Sequence, residues 1–290
     1  MDNLLKVSVI GGDTRLIYTA KRFKELGYGV NTFGFELFSG AEDIPGQTTK
    51  LSKALENEVI VLGLPCSKNG ETLYAPFCEK AIFIKDIAKE GQRIFAGMIN
   101  GDIERMLSGA GASVKDYFKD EALTLYNAML TAEALTGILI SKLPCSVSGA
   151  EIAITGYGRI GFYLARILNS LGAKVTVFSR NKTQLSKAKT LGIEAVELSS
   201  FSDKNRNFRA IINTVPSNIL GEKELKRLNR NCLLIEAASA PYGIDAQKAE
   251  KLGFTVFAAP SLPGKYSPES AGAFIADTVD SILREVKNSG

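Results

Sequence analysis

The run Gly156-Tyr-Gly-Arg-Ile-Gly161 carries three glycines in a setting that gives them a chemical meaning. A β-branched stretch at 152–155 leads in. An apolar-periodic helix at 160–171 leads out, and a second β-branched stretch follows at 174–178. In a strand–turn–helix of this kind each glycine answers a separate need. Gly156 allows the tight turn, Gly158 lets backbone approach a pyrophosphate, and Gly161 lets helix and strand pack closely. The helix opens at Arg159 and Ile160, and its free N–H groups and positive dipole end face the phosphates. The pattern predicts a dinucleotide-binding domain of the Rossmann kind.

The end of the second strand bears on which dinucleotide. An NAD site places Asp or Glu there, about 20 residues past the glycines, to hold the ribose 2′-hydroxyl. This chain has Ser179, Arg180 and Asn181 instead, with Lys182 next. A carboxylate would repel a 2′-phosphate, whereas a guanidinium and a hydroxyl bind it through charge-assisted hydrogen bonds. NADP is therefore the expected cofactor. Thr214, Val215 and Pro216, after a further strand, are expected to touch its ribose or nicotinamide.

Composition narrows the chemistry. The 290 residues, 45% of them apolar, suffice for two domains with their own cores. A formal charge of +4 with scattered basic residues suits an anionic small molecule and gives no support to nucleic-acid binding. There is no histidine. Proton transfer by a histidine–carboxylate pair, usual in two-domain hydroxy-acid dehydrogenases, is excluded, as is histidine-ligated metal. Cys66, Cys78, Cys145 and Cys232 lie far apart, and their mostly apolar neighbours predict buried, reduced thiols of a cytoplasmic protein and no metal site. The chain enters a strand almost at once, so no targeting segment is expected. No apolar run reaches the ~18 residues of a membrane span.

The chain also repeats itself. Residues 7–11 and the helix up to Gly27 align with residues 152–156 and the helix up to Gly172, at a constant offset of 145 residues. Residues 59–65 likewise resemble 210–216. Short continuous apolar strands alternating with amphipathic helices predict an α/β protein of two doubly wound, parallel-sheet domains with a cleft between them. The expected boundaries are 1–125 plus 268–290 for a degenerate, substrate-binding domain and 126–267 for the NADP domain. Helices are predicted at 121–143 and 271–286, the second closing back on the first domain. In the first copy Asp13 stands where Gly158 stands and Leu16 where Gly161 stands, so that turn should bind no nucleotide.

Ligands of open parallel sheets bind beyond the carboxyl ends of the strands. That rule nominates Thr14 and Arg15 beside an expected nest of amides at Gly11–Gly12, with Arg15 either facing a substrate carboxylate or lying on the surface. It further nominates Ser239, and Ser261, Gly264 and Lys265 in a Pro/Gly-rich loop with a cation at its tip. Asn127, Thr131 and Glu133 are polar positions on a largely apolar helix. Asn127 and Glu133 are the candidates for catalytic roles, with Glu133 the least unsuitable base and a structural role equally open to it.

Taken together, residues 10–15, Tyr126-Asn127, 156–161, 212–217, 259–268 and Ala271-Gly272 resemble the A-subunit family of dipicolinate synthases of spore-forming bacteria, from about residue 5 to the C-terminus. More distantly the layout is similar to D-2-hydroxy-acid dehydrogenases and to alanine dehydrogenase and transhydrogenase. The resemblance implies NADP-dependent oxidation of dihydrodipicolinate to dipicolinate, in an oligomer with a smaller, flavoprotein-like B-type partner, in the cytoplasm of a sporulating mother cell. Where the family has an arginine, this chain has Ala240, and a family basic position is Glu269. Aromatisation drives such a reaction, so clamping two carboxylates matters more than a strong base, which agrees with the missing histidine. Two other readings stay open on the residues alone. One is a dehydrogenase of another small dicarboxylate or imino acid, and the other a non-catalytic NADP-binding subunit.

Overall fold

Runs such as Val-Ile-Val-Leu at 59–62 have no polar face and must be covered on both sides. In the computed structural model, which describes residues 5–203 and 207–288, these runs form two parallel sheets. The chain divides into two compact units. One comprises the residues up to Asn127 with those from Gly264 onward, and the other is Ala128–Pro263.

The first unit holds β1 (Lys6–Ile10), α1 (Thr14–Glu25), β2 (Gly29–Phe33), α2 (Leu51–Ala54), β3 (Val59–Leu62), β4 (Arg93–Ala96), α3 (Gly101–Ser108), β5 (Ser113–Asp116) and the start of α4 (Glu121–Lys142). The second holds β6 (Glu151–Thr155), α5 (Arg159–Ser170), β7 (Lys174–Ser179), α6 (Lys182–Thr190), β8 (Glu194–Glu197), β9 (Ala210–Asn213), α7 (Glu222–Leu225), β10 (Leu233–Glu236), α8 (Ala246–Lys251), β11 (Val256–Ala258) and the start of α9 (Leu262–Tyr266). Helix α10 (Pro268–Asn288) belongs to the first unit.

The sheet orders are β2-β1-β3-β4-β5 and β11-β10-β9-β6-β7-β8. Matched strand for strand from β1 and β6 onward they are one order, with β8 added at an edge of the second. The first is the flavodoxin-like arrangement and the second the dinucleotide-binding one. Their switch points lie between β1 and β3 and between β6 and β9, the places where ligands of such sheets bind.

Helix α10 closes the first unit by packing on α1. Gly272 makes this possible, because a Cβ there would meet the Arg15 carbonyl oxygen and the Tyr18 Cβ. Thr19 Oγ1 donates to Gly272 O at 2.9 Å, and Ile275, Ala276 and Val279 join Leu16, Ile17 and Phe23 in one core.

Among the described residues α4 is long and apolar enough to cross a membrane by length and composition, although no single uninterrupted apolar run in it is. In that window 56% is buried inside the protein, and Leu135, Ile138 and Leu139 belong to the second unit's core. The cysteines are also not uniformly buried. Cys66 and Cys232 are, and burial pushes both thiols up to about 12. Cys78 is half-buried and Cys145 exposed. An apolar neighbour in sequence does not fix which way a loop cysteine faces.

Candidate functional site

The glycine turn between β6 and α5 shows the division of labour its spacing implies. Gly156 has φ +93°, and its N–H donates to Phe178 O at 2.7 Å. A Cβ on Gly156 would stand 2.5 Å from Thr214 Oγ1, and one on Gly161 would stand 2.3 Å from Gly156 O. Around Gly158, in contrast, a Cβ would meet nothing within 4 Å. Two glycines are therefore demanded by packing, and the third leaves a bare approach to the N-terminus of α5. The N-cap, Gly158, has no side chain to cap that helix, and a helix N-terminus of this kind suits a phosphate. Tyr157 is 3% exposed and packs edge-on to Phe162, anchoring the turn in the core.

Thr214 Oγ1 donates to Thr155 O at 2.8 Å, which ties the segment after β9 to the end of β6. A cavity of about 270 Å³ lies against these groups, lined by Gly156, Tyr157, Gly158, Thr214, Val215 and Pro216 together with the residues that follow β7. Arg159 and Ile160 open α5 and are not among the residues that line it.

After β7 the three predicted residues do different things. Ser179 is buried, and its hydroxyl donates to Gln184 Oε1 at 2.8 Å and accepts from Asn181 N at 3.1 Å. The Asn181 side chain accepts from Thr183 N and Gln184 N and so caps α6. Both shape the turn. Arg180 is exposed, with Nη2 3.5 Å from Ser217 Oγ, and it lines the cavity. A second cavity of about 570 Å³ shares Arg180 and Leu198 with the first and adds Lys182 and Lys223, along with Glu197 and Glu224. The Glu224 carboxylate is taken by Gly221 N and Ser202 Oγ. Gln184 and Leu198 line the first cavity without any signal in the sequence, since neither belongs to a motif.

The equivalent turn in the first unit is closed. Gly12 N donates to Tyr74 O at 2.8 Å, Gly11 N to Phe33 O at 2.9 Å, and a Cβ on Gly11 would meet Ala75 Cβ at 2.9 Å. The Gly12 amide is not open as its glycine suggested, because the segment after β3 folds over it, whereas the Gly11 bond is the same one that Gly156 makes to Phe178 in the open turn. Leu16 is fully buried and fills the space at Gly12.

Arg15 is neither a surface cation nor a free one. It is 4% exposed, its Nε and Nη2 bond Asp13 at 2.9 and 2.8 Å, and Nη2 also donates to the Leu64 carbonyl. Burial works against its charge, but the Asp13 contacts outweigh that and raise its pKa. Asp13 additionally caps α1 through Arg15 N. Gly264 packs on this pair, since a Cβ there would stand 3.0 Å from Asp13 Oδ2 and 3.1 Å from Arg15 Nε. The Pro/Gly-rich stretch is thus partly a helix, α9. From Gly264 onward these residues belong to the same unit as Arg15, not to the NADP domain in which they were expected.

Lys265 is exposed on α9, and Ser261 is exposed with a strained φ of +56°. Thr14 is half-buried at the start of α1. Along α4, Asn127 is half-buried, Thr131 buried and Glu133 exposed. Ser239 is exposed after β10.

An open glycine turn at the switch point of a β11-β10-β9-β6-β7-β8 sheet defines a class. Residues 139–245 match the NAD-binding domain of D-isomer specific 2-hydroxyacid dehydrogenases, so the second unit carries an NAD(P)-binding domain of the oxidoreductase class. Within that class the chain resembles, throughout its length, the A-subunit of dipicolinate synthase. Residues 6–118 match the N-terminal domain of that A-subunit family. The dipicolinate synthase A-subunit of Bacillus subtilis (strain 168) is 27% identical over 296 residues, covering 98% of this chain and 97% of that one. The solved A-subunit structures from Bacillus halodurans and Bacillus subtilis superpose with TM-scores of 0.86 each at 24% identity. They cover 97% and 100% of this chain, and 99% of each of theirs. The structural likeness speaks to fold, and the two parallel α/β sheets agree with it.

Proposed function

We propose that the protein oxidises dihydrodipicolinate to dipicolinate with NADP, working beside a smaller second subunit in a sporulating cell. The observation that carries this reading is the similarity to the Bacillus subtilis dipicolinate synthase A-subunit over 98% of the chain. The residues present fit a dinucleotide: the bare approach at Gly158, the uncapped start of α5, and the Thr214–Pro216 wall of the cavity. When bound, the nicotinamide supplies hydride acceptance. The chain's own groups hold and orient. Thr14, Asn127, Thr131, Ser239, Ser261 and Lys265 are the candidates for the substrate's carboxylates and ring. Arg15 serves by fixing Asp13 and the Leu64 carbonyl, since its own donors already point at them. Loss of the ring proton is assigned to water or to Glu133, whose exposure on α4 leaves it accessible to solvent.

The preference for NADP over NAD is assigned to Arg180. No carboxylate stands at residues 179–182, and the adjoining cavity adds the cations Lys182 and Lys223. Titration should show tighter binding of NADP than of NAD. Arg180→Ala should erase most of the difference, since a hydrogen bond to a charged group is worth about 1.5–3 kcal/mol. Equal affinities for the two cofactors in the parent protein would refute this assignment.

A further inference from the structure

Glu236 closes β10 and is only 5% exposed. A buried carboxylate must be fully hydrogen-bonded to be tolerated. This one is. Oε1 accepts from Asn213 Nδ2 at 2.6 Å and from Ala238 N at 3.0 Å, and Oε2 accepts from Gly243 N and Ile244 N, both at 2.8 Å. The four donors occupy the about four acceptor sites a carboxylate offers, leaving none for a substrate proton. Glu236 is thereby unsuited to be the missing base, although it sits at the carboxyl edge of the sheet.

The same network reaches two further strand ends. Asn213 Oδ1 accepts from Thr155 Oγ1 at 2.6 Å and from Val215 N at 3.2 Å, while Asn213 Nδ2 also donates to Val215 O at 3.0 Å. Gly243 must lack a side chain, because a Cβ there would stand 2.3 Å from Asn213 Nδ2. The loops after β9 and β10 are therefore cross-tied through one carboxylate. In this sheet order the β6-β7-β8 half takes the adenosine side of a dinucleotide and the β9-β10-β11 half the nicotinamide side.

We propose that Glu236 is a positioning residue for hydride transfer, setting through Asn213 and the 237–244 backbone the two loops that shape the nicotinamide side of the site. It acts without touching the ligand. The inference rests on the dinucleotide-dependent oxidation proposed above.

Glu236→Gln keeps the shape but turns an amide donor toward backbone donors. Thr155→Val removes only the hydroxyl that braces Asn213 and serves as the milder variant. Each is compared with the parent, in the presence of the second subunit, for kcat, KM and affinity for NADPH and for adenosine 2′,5′-bisphosphate. The bisphosphate reports the adenosine half alone. The expected result is a fall in kcat of roughly tenfold or more for Glu236→Gln and a smaller fall for Thr155→Val. NADPH should lose affinity in both, while the bisphosphate binds as it does to the parent. An unchanged kcat in folded Glu236→Gln overturns the proposal, and so does bisphosphate affinity falling in parallel with kcat. Should Glu236→Gln not fold, Thr155→Val decides by the same criteria. A parent that binds neither NADPH nor the bisphosphate overturns the dinucleotide reading itself, and this inference with it.

Discussion

Gly158→Asp is expected to abolish cofactor binding while leaving the fold intact. The position has φ −73° and ψ −162°, a backbone any residue adopts, and open space where the Cβ would go. The Cβ thus meets no protein atom, and the fold is expected to tolerate the substitution. It does place a carboxylate on the path by which backbone must approach a pyrophosphate. Two like charges about 4 Å apart repel by about 4 kcal/mol at an effective dielectric of about 20. That corresponds to about a thousandfold in affinity. Gly161→Ala is the contrasting case, since its Cβ would collide with Gly156 O at 2.3 Å and should destabilise the domain. Calorimetric titration with NADPH alongside thermal unfolding separates the two. Cofactor affinity near the parent's in Gly158→Asp would show that the ligand does not use this turn.

Arg15→Ala carries the other large effect, and it falls on stability. The guanidinium is the shared partner of Asp13 and of the Leu64 carbonyl, and the Asp13 side chain is only 15% exposed. Removing one member of a buried ion pair leaves the other charge uncompensated, at a cost of about 3–5 kcal/mol. The remaining exposure of Asp13 points to the lower end. Denaturant unfolding should report a loss of about 3 kcal/mol, with NADP affinity of the folded variant unchanged. A loss under about 0.5 kcal/mol, the size of an ordinary surface change, would mean that the pair is not structural.

What the sequence could convey depended on distance along the chain. The β6–α5 turn was legible because strand, glycines and helix are contiguous and each glycine has a local reason. The two sheets were legible because several of their strands, such as 59–62 and 210–212, are continuous apolar runs, and the first strand–helix pair recurs at an offset of 145 residues. Asp13 and Leu16 correctly marked the first turn as degenerate. How that turn is closed was not legible, because Tyr74 and Ala75 arrive from about sixty residues away. Arg15 misled for a similar reason. Its partner Asp13 is two residues off, but the burial that fuses them into a pair comes from Leu64 and Gly264. Ser179 and Asn181 have the chemistry to hold a phosphate, yet the start of α6 claims both side chains first, a competition that composition does not reveal. Glu236 read only as a strand end, because the Asn213 amide and the 243–244 amides that surround it meet only in the folded sheet.

The most direct test mixes the full chain with freshly generated dihydrodipicolinate and NADP, with and without the second subunit, following NADPH formation and identifying the pyridine product. Stoichiometric NADPH and dipicolinate are expected when both subunits are present, with NAD a poorer oxidant. No cofactor reduction under either condition, in a protein that binds NADP, would contradict it and leave a dinucleotide-binding subunit without this activity.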